Sequence, residues 1–173
     1  MKVALVQLSS TDDPEENLRT TIALTGEAAG RGAGFVLTPE VTNCLSSDRA
    51  LQNSVLREEK DDMTLARLGL LAGEHKIWLL IGSLALKSGA PDGRFVNRSF
   101  LISPSGAIVA RYDKIHMFDV KVSASESYRE SDGYRPGSTC VVARTPFGVI
   151  GMTICYDVRF PHLYRALAKA RAE

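Results

Sequence analysis

Cysteine is scarce in this 173-residue chain: Cys44, Cys140 and Cys155 are an odd set, and no two of them have Cys-x-x-Cys spacing. That argues against a disulfide framework and against a structural zinc site, and it fits a reducing cytoplasm. Excess charge of either sign is also missing. Lys and Arg number 21 against 20 Asp and Glu, for a net charge of +1, and the basic residues are dispersed among acidic ones. No strong field draws nucleic acid or an anionic membrane. Long apolar runs are absent too. Nothing approaches membrane-spanning length, and the opening Met1-Lys2-Val3-Ala4-Leu5-Val6-Gln7-Leu8 is too short for a signal peptide. Repeats and low-complexity tracts are lacking. What is present, 45% hydrophobic and 24% charged residues, is enough for one domain over residues 1–173 with a real core.

The patterning predicts alternating elements. Residues 2–8 read as a strand. Asp13 as N-cap and Pro14 at the first helical position open a helix with Leu18, Ile22 and Ala29 on its apolar side. Phe35 to Thr38 read as a second strand stopped by Pro39. A helix capped by Asp61 or Asp62 turns Leu65, Leu68, Leu71 and Ala72 inward. Ile77 to Leu84 are apolar almost without a break, as expected of a strand covered on both faces. Val96 to Ser103 and Ala107 to Tyr112 flank Pro104-Ser105-Gly106 as a hairpin. A polar stretch from Asp113 to Gly137 has no period and reads as a long functional loop. A second hairpin spans Cys140 to Ile154, followed by a helix from about Val158. The pattern is a mixed sheet with helices packed on it, an α/β fold.

Cys155 carries the most chemistry. A cysteine at a strand-to-helix junction lies near free backbone N–H groups and the positive end of a helix, which favours thiolate over thiol. This is the setting of a nucleophile elbow with sulfur in place of oxygen. The plainer alternative is a buried, inert cysteine. Glu40 and Lys114 each follow a strand, and in α/β sheets ligands gather outside the carboxyl ends of strands. An acid, a cation and a thiol there would suit thiol hydrolysis: the carboxylate takes the thiol proton, and the ammonium holds the oxyanion formed at a carbonyl. Taken singly, Glu40 and Lys114 could equally be solvated surface charges.

Three segments together resemble the nitrilase superfamily of carbon–nitrogen hydrolases. They are Leu37-Thr38-Pro39-Glu40, then Arg111-Tyr112-Asp113-Lys114-Ile115-His116-Met117-Phe118-Asp119, then Gly151-Met152-Thr153-Ile154-Cys155-Tyr156-Asp157-Val158-Arg159-Phe160-Pro161. The resemblance covers essentially the whole chain. It implies an α-β-β-α sandwich, incomplete here at the C-terminus because domains of the family continue well past this point. It also implies roles: Cys155 as nucleophile forming a thioester acyl-enzyme, Glu40 as general base, and Lys114 with the backbone N–H of Tyr156 as oxyanion binders. Glu130 would hold Lys114 or position substrate, with Glu126 a weaker candidate. His116 would order the lysine loop. No metal or organic cofactor is implied.

The segment from Cys155 to Pro161 looks most like the Nit branch, which contains ω-amidases and deaminated-glutathione amidases, whose amide substrates also carry a carboxylate. His162 departs from that branch, which has glutamate there; the change bears on a helix start. Arg159 could anchor the substrate carboxylate, or brace the elbow by pairing with Asp157 or Asp119. The expected partner is a small-molecule amide, with a homodimer if the full domain is present. Other readings stay open: an inactive fragment or pseudoenzyme acting as an interaction module, an N-carbamoyl amine hydrolase or nitrilase, and a Cys–His hydrolase using His116 or His162.

Overall fold

A computed structural model describes residues 1–123 and 126–173. Five strands form the main sheet in the order β1-β2-β3-β4-β5: β1 Val3–Leu5, β2 Phe35–Leu37, β3 Trp78–Lys87, β4 Phe95–Ile102 and β5 Ile108–Asp113. β1, β2 and β3 are parallel, and β3, β4 and β5 antiparallel. The connections follow from this. Parallel neighbours need long crossovers, here α1 Pro14–Gly30 and the pair α2 Arg49–Val55 and α3 Met63–His75. β4 and β5 need only the turn at Pro104-Ser105-Gly106, where Gly106 has φ 81°.

Helix ends are set by the residues the sequence suggests. The Asp13 carboxylate accepts from the backbone N–H of Glu15 and Glu16 ahead of Pro14, and Asp62 does the same for Leu65 at the start of α3. Leu65, Leu68, Leu71 and Ala72 of α3 are buried. On α1 the most buried residues are polar: Asn17, Thr21 and Thr25. Leu18, Ile22 and Ala29 are only partly buried against the core. Asn17 earns its place by donating to the carbonyls of Thr11 and Asn43, 2.8 and 3.0 Å away.

Alternation along the strands feeds two cores. On one face Val36, Leu79, Ile81, Phe100 and Ile102 pack under α1 and α3. On the other, Phe35, Leu101 and Tyr112 meet Ala143, Met152 and Ile154. Ala143 belongs to a separate two-stranded layer, β8 Val142–Thr145 and β9 Gly148–Gly151, and Met152 and Ile154 follow β9 on the way to Cys155. Leu163 and Leu167 of α5 Pro161–Lys169 are buried, and Leu167 lies over Gly151. The order of layers is therefore helices, sheet, hairpin, helix, the α-β-β-α sandwich that the resemblance implies.

Three stretches differ from the sequence reading. α2 arises where no element is expected. The polar stretch from Asp113 to Gly137 carries a small ribbon, β6 Asp119–Lys121 with β7 Ser127–Arg129, and a single turn, α4 Glu130–Gly133; the part of the expected loop at Ala124 and Ser125 lies outside the described residues. Strand β9 stops at Gly151, and Cys155 opens a five-residue 3-10 turn, Cys155–Arg159, that precedes α5. No helix among the described residues is long and apolar enough to cross a membrane.

Candidate active site

Glu40, Lys114, Glu130 and Cys155 line one cleft of about 680 Å³. Each arrives there for a local reason. Glu40 follows β2 on a segment sewn to a bulge in β3, where the register shifts between Ile81 and Leu84. Ser83 N donates to the Pro39 carbonyl, Thr42 N to the Ser83 carbonyl, and Val41 N to Ser83 Oγ. Val41 has φ 45°, so the chain turns sharply as it leaves Glu40. The segment passes so close to Gly82 that a Cβ there would lie 2.2 Å from the Thr38 carbonyl oxygen. Gly82→Ala is therefore expected to destabilise the protein by about 3 kcal/mol, the upper end for overpacking. Urea unfolding tests this; an unchanged midpoint would show that the Thr38–Glu40 segment yields freely.

Lys114 follows β5. Its backbone N–H donates to the Asn97 carbonyl of β4 at 2.9 Å, and its carbonyl accepts from Gly137. Its side chain is 3% exposed. The ammonium reaches Glu40 Oε1 and both oxygens of Glu130, each at 2.9 Å. An ammonium has three N–H donors, so all three face carboxylate oxygens. Burial disfavours the charge on Lys114, but Glu40 and Glu130 outweigh it and raise the pKa above the ordinary lysine value. Glu130 is itself fixed, since Phe118 N donates to its Oε2 at 2.6 Å. Of the two roles expected for Glu130, holding Lys114 is the one seen here. Glu126 accepts from the Tyr128 hydroxyl on the exposed ribbon and does not line the cleft.

Cys155 has φ 45°, a strained conformation for a residue with a Cβ. That matches the nucleophile elbow expected from sequence. The thiolate expectation is corrected: although the residue as a whole is exposed, partial desolvation of its sulfur, then the charge and hydrogen bond of Glu40, and the charge of Glu130 push the thiol up, while Lys114 pulls it down. Cys155 begins a short 3-10 turn, and the longer helix starts only at Pro161, so the sulfur does not sit in that helix's first turn. The direction of the thiol's shift favours a thiol beside a carboxylate. Cys44 is buried, and burial followed by the charge of Asp12 raises its thiol as well; Cys140 is exposed.

Asp157 locks the elbow to the sheet. Fully buried, its carboxylate accepts from Tyr112 Oη at 2.6 Å, Ile154 N at 2.9 Å and His116 N at 3.1 Å, and lies 2.7 Å from His116 Nδ1. Burial and Asp157 push the Tyr112 phenol far up, so it stays a donor. His116 also stacks on Phe160 at 3.6 Å; the hydrogen bonding expected of it in ordering the lysine loop goes to Asp157. These ties leave Arg159 without either expected acid. Asp157 is fully engaged, Asp119 accepts from Ser131 N and Oγ, and Arg159 is exposed and outside the cleft. The side chain of Tyr156 packs edge-on between Phe118 and Phe160. Sequence reasoning did not single out Asn97, which donates to Glu40, and named Asp157 only as a possible partner of Arg159, not as the acceptor for Tyr112, His116 and Ile154. A polar residue amid the apolar run of β4 was the available signal for Asn97.

Residues 2–173 match the carbon-nitrogen hydrolase family model. The chain belongs to the carbon-nitrogen hydrolase family. It is 38% identical to the deaminated glutathione amidase of Yersinia enterocolitica, over 99% of this chain and 59% of that protein. It is 34% identical to the deaminated glutathione amidase of Mus musculus, over 99% and 54% respectively. Among solved structures, Saccharomyces cerevisiae Nit3, a member of branch 10 of the nitrilase superfamily, superposes with a TM-score of 0.82 at 28% identity, covering 99% of this chain and 61% of Nit3. The chain thus spans a little over half the length of the two amidases. As a carbon-nitrogen hydrolase chain it holds its acid, lysine and cysteine in a single cleft. His116 and His162 lie outside that cleft, and the His116 ring is committed to Asp157, which argues against a Cys–His hydrolase.

Proposed function

We propose that this chain carries the reacting groups of an amidase that hydrolyses a small, carboxylate-bearing amide through a Cys155 thioester. The observation that supports this reading is the Glu40–Lys114–Glu130 cluster against the Cys155 thiol. The names of the two amidases support the substrate class. Cys155 Sγ attacks the amide carbon while Glu40 takes the thiol proton. The oxyanion is met by Lys114, which exchanges one of its two Glu130 contacts for it, and by the Tyr156 N–H. Collapse breaks the C–N bond, and the Glu40 proton leaves with ammonia. Water then attacks the thioester, giving up its proton to Glu40. The acid product departs and Cys155 recovers its proton. The sum is amide plus water to carboxylic acid plus ammonia.

The test is ammonia release from deaminated glutathione and from simple ω-amides of dicarboxylic acids. Cys155→Ala is expected to abolish it while leaving the circular dichroism and melting temperature close to wild type, because the side chain is exposed and alanine leaves the backbone intact. Ammonia release by that variant at the wild-type rate would refute the mechanism. A well-folded wild-type chain with no turnover on any amide would favour the inactive interaction module.

A further inference from the structure

Glu40 must do two things: stay beside Lys114, and present an oxygen to the thiol. Its two oxygens are not equivalent. Oε1 accepts from Lys114 Nζ at 2.9 Å and from Asn97 Nδ2 at 2.8 Å. No nitrogen donor among the described residues is seen on Oε2, and the Cys155 thiol is hydrogen-bonded to the same carboxylate. Asn97 is 3% exposed, and its own oxygen, Oδ1, is buried with no hydrogen-bond partner. The amide orientation is fixed by chemistry, since flipping it would set Oδ1 against the Glu40 carboxylate, acceptor against acceptor. An orphaned buried acceptor is unfavourable and rare. The fold tolerates it where the other end of the same side chain is needed. Asn97 also accepts the Lys114 backbone N–H through its carbonyl. One residue of β4 therefore places both the acid and the cation.

We infer that Asn97 is a positioning residue of the proposed reaction: with Lys114 it fixes Glu40 Oε1 and so leaves Oε2 as the oxygen that takes the thiol proton. The inference rests on the amidase reading for its consequence in turnover, but the geometry stands without it. The charged groups that act on Cys155 are Glu40 after β2, Lys114 after β5 and Glu130 on α4.

The test is Asn97→Leu, which keeps approximate volume and removes both the useful donor and the orphaned acceptor. The expected result is a melting temperature equal to or above wild type, together with a 10- to 100-fold fall in kcat (on the order of a lost positioning contact) and a KM within about twofold. The pH midpoint for alkylation of Cys155 by iodoacetamide is expected to fall, because Glu40 no longer holds its place beside the thiol. A loss of melting temperature in parallel with activity, with the alkylation midpoint unmoved, would make Asn97 a brace of the sheet and overturn the inference. Should Asn97→Leu not fold, Asn97→Ser, whose hydroxyl is too short to reach Glu40, carries the same expectations for kcat and midpoint. A shifted midpoint in a chain with no wild-type turnover would uphold the positioning role and reject the amidase reading.

Discussion

Replacing Glu40 by glutamine is expected to make Cys155 easier to alkylate while removing hydrolysis. The sign follows from the cluster. Burial and the negative charge of Glu40 raise the thiol above its ordinary value, and Lys114 opposes them. Glutamine keeps the volume and deletes the charge, so the pull of Lys114 meets less opposition and the thiol pKa falls. Each unit of fall gives about tenfold more thiolate at a pH well below the midpoint. Hydrolysis needs the proton taken during attack and again from water, and loss of such a base removes roughly 10²–10⁴ in rate. Alkylation of Cys155 across pH 6–10, read by peptide mass with exposed Cys140 as internal control, measures the first effect, and ammonia release the second. A midpoint that rises in Glu40→Gln would mean that Glu40 stabilises the thiolate, and the assigned base would be wrong.

Lys114→Met is expected to damage both stability and activity. The side chain is buried and meets two carboxylates at three contacts of 2.9 Å. Without it, Glu40 and Glu130 face one another with no cation between them. Breaking a buried pair costs about 3–5 kcal/mol; the side chains of Glu40 and Glu130 are 30% and 16% exposed, so water screens part of this and the lower figure applies. Loss of an oxyanion donor removes a further 10²–10³ in rate, on the order measured for such donors. The pH dependence discriminates. In the wild type the raised Lys114 pKa stabilises the fold fully below the ordinary lysine value, and that contribution is lost only as pH rises through the higher folded-state value. Melting between pH 5 and 8 is thus insensitive to this group. In Lys114→Met, protonating a carboxylate relieves the repulsion, so the variant is expected to be more stable at pH 5 than at pH 8. Equal melting temperatures at both would show that the two acids do not interact as described.

The strands of the main sheet, helices α1 and α3 and the turn at Pro104-Ser105-Gly106 were legible because each is set by local pattern: alternation, a capping carboxylate, turn-forming residues. α2 was not, because its stability is tertiary. Arg49 reaches the carbonyls of Gly133 and Gly93 and stacks over Phe95 at 3.7 Å, and only Gln52 of the helix is buried; its one local signal is the Asp48 cap. The acid, lysine and cysteine could be placed by their motifs. Their partners could not, since Asn97 meets Glu40 across 57 positions and Asp157 meets Tyr112 across 45. Arg159 misled because adjacency to an acid in sequence says nothing of which partner that acid takes. In the fold Asp157 turns inward, to Tyr112, His116 and the Ile154 N–H. The direction of the Cys155 shift was misread because the motif shows a cation nearby but neither the desolvation of the sulfur nor how close the carboxylate lies.

The two-core layering has a mechanical side. Glu40, Asn97 and Lys114 all ride on the main sheet, whereas Cys155 is delivered by the hairpin layer behind it. The carboxylate of Glu40 and the sulfur therefore belong to two slabs that touch along an apolar seam of Phe35, Leu101, Tyr112, Ala143, Met152 and Ile154. Sliding of one slab over the other would alter the gap between acid and thiol while leaving every contact within the acid–lysine cluster intact. The hydrogen bond from Tyr112 to Asp157 crosses that seam as a dowel. The reach of the sulfur is thus set by how well oily side chains, none of them lining the cleft, fill the space between two sheets.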